Sequence, residues 1–182
     1  MYAGVRSIFS RYWRSYGGLR ALVRSPYLHL AFVLLLVTSH FWSMEKWWEQ
    51  PLSILPNLLG FSLGGLAMFM SFGDERFRSI LTEDTATDQP SSYMELCSTF
   101  VHFIVLQLGA LMFALVAKSL DFHFPWPAEY RAIVSVFTVV FSGMGYLLFL
   151  YSVSAMLAAT MSVFRICSWY ELHQKNKPSH DN

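Results

Sequence analysis

The sequence predicts an all-α, polytopic membrane protein: four transmembrane helices with an N-terminal amphipathic helix at the membrane interface. Three observations carry that prediction. Hydrophobic residues make up 54% of the 182 and charged residues only 14%, where soluble domains carry roughly a quarter. The apolar residues gather in four blocks, each close to or above the ~20 residues a helix needs to cross the hydrocarbon layer. Lys and Arg are divided unevenly between the two sides those blocks define, ten on one and three on the other, which sets orientation by the positive-inside rule. The expected divisions are a cytoplasmic amphipathic segment (1–25), a four-helix membrane domain (26–166) and a cytoplasmic tail (167–182).

Residues 4–20 place Val5, Ile8, Phe9, Tyr12, Trp13, Tyr16 and Leu19 at helical spacing, with Arg6, Arg11 and Arg14 largely opposite. Such a helix belongs in the inner interface, its arginines toward anionic headgroups. Ser25-Pro26 reads as an N-cap followed by a first-turn proline, opening the first crossing over Tyr27 to Met44. No small-x-small cleavage site follows, so the block reads as an uncleaved anchor. Trp42, Trp47 and Trp48 fit an outer aromatic belt.

The second crossing, Ser53 to Phe72, has no charge, and Gly60, Gly64, Ala67 and Ser71 leave one of its sides nearly bare. That face is expected to pack closely against another helix. The polar, acidic linker Thr82 to Ser92 follows, and Ser92-x-x-Glu95 has capping-box spacing for a third helix that runs to about Lys118. After a loop holding Pro125-Trp126-Pro127, the fourth block stays apolar from Ala132 to about Ile166, longer than the bilayer requires. The tail from Glu171 reads as disordered.

Several groups could carry chemistry. Gly60-Phe61-Ser62-Leu63-Gly64 formally matches the G-x-S-x-G nucleophile pattern, with His102 at similar depth, which would suggest an intramembrane serine hydrolase. The motif lies inside one apolar helix rather than on a strand-to-helix turn, so helix packing is the better account. His102, Gln107, Glu95 and Ser142 form a candidate polar or pore site, because an ionisable group at membrane depth is costly without a role. Thr138, Gly145, Ser152 and Ala159 recur every seven residues, a seam for another helix or the lining of a pore. Asp74, Glu75, Arg76 and Arg78 mix both signs of charge at the cytoplasmic end of the second helix and suit docking of a protein partner. Cys97 and Cys167 lack matching histidine spacing, so no metal is expected. The residues point to no cofactor, no nucleic-acid contact and no enzyme.

The run Pro56, Asn57, Gly60 to Gly65, then Phe72 to Glu75, resembles a motif of small bacterial inner-membrane proteins, and in size and helix number the chain is similar to the membrane subunit of the Kiwa phage-defence system. That resemblance implies a role in phage defence and transfers no site. The expected protein is an inner-membrane, self-associating anchor, sensor or effector that contacts lipids and works with a cytoplasmic partner. An oligomeric channel is the alternative.

Overall fold

The computed structural model describes residues 2–44, 46–71, 79, 91–121 and 127–175. Among these the chain is all-helical: α1 (Tyr2–Tyr16), α2 (Gly18–Arg24), α3 (Pro26–Val37), α4 (Ser39–Ser43), α5 (Glu49–Ser71), α6 (Ser92–Ser119) and α7 (Ala128–Lys175). Three of them, α5, α6 and α7, are long and apolar enough to cross a membrane, and the bent pair α2–α3 makes a fourth candidate.

The first apolar block opens at Ser25-Pro26, as the sequence suggests, but breaks at Thr38, where the sequence suggests one helix. Ser25 precedes proline, and the proline ring drives the residue before it into extended backbone. Ser25 accordingly sits at φ −64°, ψ 121°, and α2 and α3 meet at a 50° bend. The α3 helix then stops at Thr38. Its freed carbonyls are satisfied locally, as helix ends require: the Thr38 hydroxyl donates to Leu34 O at 2.6 Å and the Trp42 indole to Leu35 O at 2.9 Å.

The second apolar helix begins four residues before its expected start, at Glu49, because Pro51 falls in the first turn where its missing N–H costs nothing. Its buried positions are Pro51, Leu55, Ser62 and Phe69. At about 100° per residue, Gly60 and Gly64 lie about 200° from Ser62 around the helix. The bare face therefore points away from the bundle, with nothing within 4 Å of a Cβ built at either glycine. Ala67 and Ser71 are exposed with them. No helix of this chain fills that side among the described residues.

The third helix is capped by Ser91 and not by Ser92: the Ser91 hydroxyl accepts from Met94 N at 3.4 Å. Its buried set includes Leu96, Phe100, Phe103, Gln107, Ala110, Ala114 and Ala117. The alternating spacing of four and three is that of a coiled-coil seam, and α6 packs with α5 on one side and α7 on the other.

The fourth helix is one continuous rod of 48 residues, about 72 Å at 1.5 Å per residue. It is central, with α3, α5 and α6 all against it. The helix continues through the tail to Lys175, so the disorder expected from Glu171 onward does not hold for 171–175. There Lys175 pairs with Glu171 one turn back, and Gln174 bonds Tyr170 at 2.8 Å, both i,i+4 contacts that support an exposed helix.

On the seven-residue repeat, Gly145, Ser152 and Ala159 are buried and Thr138 is exposed. Gly145 makes room for the rings of Trp47 and Phe113, the latter 2.6 Å from where its Cβ would stand. Trp47 is only 5% exposed, so it belongs to the core and not to an outer belt. Ser152 is fully buried, and its hydroxyl donates to Phe149 O of its own helix at 2.7 Å. Three of the four repeat positions thus face the chain's own core.

Candidate functional site

Among the described residues, two of the polar junctions between helices take in the sequence-predicted His102, Gln107 and Ser62. The first is built on α6 at His102, seven residues beyond Glu95 and hence about 10 Å along the helix. His102 is buried. Its Nδ1 lies 2.7 Å from the Tyr12 hydroxyl of α1, and its Nε2 lies 3.3 Å from the Tyr151 hydroxyl of α7. Tyr16 stacks on the imidazole with ring centroids 3.7 Å apart and planes 19° from parallel. A neutral imidazole offers one donor and one acceptor nitrogen, and a phenol serves either, so both nitrogens are satisfied without a charge in the apolar interior. Burial pushes the Tyr12 phenol up to about 12. The Tyr16 phenol is raised as well, by burial first and then by its hydrogen bond with Tyr151.

The second junction centres on Met156 of α7. Its thioether sulfur accepts from Gln107 Nε2 of α6 at 3.2 Å and from Ser62 Oγ of α5 at 3.5 Å. Sulfur is a weak acceptor, so the contacts fix register more than they stabilise. Gln107 is fully buried, and its Oε1 has no partner among the described residues.

These partners decide the fate of the proposed Ser–His pair. The Ser62 hydroxyl is spent on Met156 and both nitrogens of His102 face tyrosines, so the structure does not assemble nucleophile and base. Glu95 likewise does not join His102. It lies 3.9 Å from Arg165 of α7, both side chains substantially exposed, and Arg165 sits over the Trp169 ring at 5.3 Å. Ser142 is buried in the α7 core, apart from the exposed glycine face. Asp74, Glu75, Arg76 and Arg78 lie outside the described residues. Among the described residues no cluster of His, Cys, Asp and Glu has the makings of a metal site.

The residues that sequence reasoning missed are Tyr12, Tyr16 and Tyr151. Tyr12 and Tyr16 stand one turn apart on the face that the sequence places in the membrane interface. The available signal was His102 itself, since an imidazole at membrane depth demands polar partners. The chain matches no family model, no curated protein and no solved structure.

Proposed function

We propose that this chain is a bacterial inner-membrane protein with both termini cytoplasmic, which self-associates and anchors a cytoplasmic protein partner. The observation that carries the reading is the length of α7. A rod of about 72 Å is more than twice the ~30 Å hydrocarbon thickness, and its charges resume only at Arg165, after a charge-free run from Ala132 to Phe164. One end stands clear of the bilayer, and the Lys and Arg asymmetry supports the cytoplasmic side for it. The exposed glycine face of α5 supports self-association, because close backbone approach is what small residues in membrane helices permit. The exposed apolar residues Val5, Ile8 and Phe9 of α1, beside exposed Arg6, Arg11 and Arg14, support seating of that helix in an anionic interface.

The test is affinity purification in mild detergent, with the mass of the assembly measured. The reading expects an oligomer carrying a stoichiometric soluble protein that is lost when Asp74, Glu75, Arg76 and Arg78 are reversed in sign. Steady conductance from the purified chain alone in planar bilayers would replace the anchor with a channel. The phage-defence setting is part of the same proposal, tested by plating efficiency of phage on cells with and without the chain and its partner.

A further inference from the structure

We infer that α1 is a hinged arm, fixed to the bundle by a latch in which Tyr12 and Tyr16 close on His102. Three independent features point to it. The arm's main attachment to a membrane-crossing helix is to α6, with Tyr16 also bonded to Tyr151 of α7, and it is made at one end: Tyr12, Trp13 and Tyr16 are half-buried while residues 4–11 are exposed. The polar contacts of that end converge on the His102 imidazole and its partner Tyr151, with Tyr12 bonded to the imidazole's edge and Tyr16 stacked on its face.

The connection to α2 is built to pivot. Gly17 and Gly18 adopt φ +99° and +64°, a conformation that glycine takes at no steric cost. A Cβ at Gly17 would in addition meet Ala21 at 2.9 Å. Beyond α2, the chain bends again at Ser25. An arm with a glycine pivot at one end of its contact and free apolar and arginine residues at the other is held by the latch and by little else. His102 is thus a positioning residue: it sets where the arginine-bearing arm lies relative to the membrane helices. The inference goes beyond the anchor reading and holds for either orientation of the chain.

Pairs of spin labels in the full chain in lipid nanodiscs test it, with Cys97 and Cys167 replaced by Ser. Labels at the exposed Ser10 and the half-buried Thr99 report the arm; labels at Thr99 and Phe164 report α6 against α7. The wild-type chain is expected to give one narrow Ser10–Thr99 distribution. Tyr12→Phe combined with Tyr16→Ala, and separately His102→Leu, should broaden it at least twofold while the Thr99–Phe164 distribution stays narrow. His102→Gln, which keeps a hydrogen-bonding group facing Tyr12, should recover part of the narrow population. An unchanged Ser10–Thr99 distribution in the latch variants would overturn the inference. Equal broadening of both pairs would overturn it too, since His102 would then hold the bundle and not the arm.

Discussion

Replacing Gly145 by alanine puts a methyl group into the space that Trp47 and Phe113 share. The new carbon would stand 2.6 Å from the Phe113 ring and closer still to Trp47. Carbon pairs are comfortable at about 3.5–4.0 Å, so the overlap is on the order of 1 Å. Neither ring can swing away freely. Phe113 is stacked on Phe141 at 4.4 Å, and Trp47 is pinned edge-on to Tyr146 at 6.3 Å. Overpacking of this kind costs about 1–3 kcal/mol, while exchanging glycine for alanine in a helix returns about 0.8–1 kcal/mol. The same exchange at Gly60 gives that return with no clash. The difference between Gly145→Ala and Gly60→Ala therefore cancels the helix term and isolates a steric loss of about 1–3 kcal/mol. Unfolding by SDS titration in mixed micelles, followed by tryptophan fluorescence at dilutions where the protein is monomeric, measures it. Equal midpoints for the two variants would refute the assignment of Gly145 to an internal seam and Gly60 to an open face.

Gly64→Leu should abolish detergent-stable oligomers while Met68→Ala, also exposed, leaves them; equal oligomer yield by light scattering would show that the glycine face is not a contact. Cysteines at Ser142 and Ser152 should resist small charged thiol reagents, because both positions are buried; rapid modification would argue for a wet conduit. Raising pH should release the arm. The Tyr12 phenol is held near 12 and Tyr16 is also raised, so docking is at full strength below the ordinary tyrosine value of about 10 and is lost as pH climbs through the docked value. His102 and Tyr151 are the groups facing those phenols, and a Ser10–Thr99 distribution that is identical at pH 8 and pH 12 would contradict the latch.

The four apolar blocks were legible because bilayer thickness imposes a length that composition reveals directly. Which face of each helix points inward was not. Gly60 and Gly64 on α5 and Gly145 and Ser152 on α7 carry the same small-residue signal, yet the first pair faces out and the second faces in. The deciding partners, Trp47 and Phe113, are remote in sequence and carry no periodic mark. The coiled-coil spacing from Leu96 to Ala117 was readable but was masked by apolar residues all around α6. The break at Thr38 lay hidden for a similar reason: hydroxyl and indole donors repair the helix end, so the hydropathy of the block continues through it. For the polar site, His102 was found from its depth alone, whereas its tyrosines belong to two other helices.

The proposed anchor requires a chain that crosses the membrane with both termini inside. Single cysteines at Lys46, Thr85 and Lys175, in a background with Cys97 and Cys167 replaced by Ser, test it directly with an impermeant thiol reagent on spheroplasts. Labelling is expected at Lys46 in intact spheroplasts, and at Thr85 and Lys175 only after permeabilisation. Labelling at Thr85 or Lys175 in intact spheroplasts, with Lys46 protected, would contradict it.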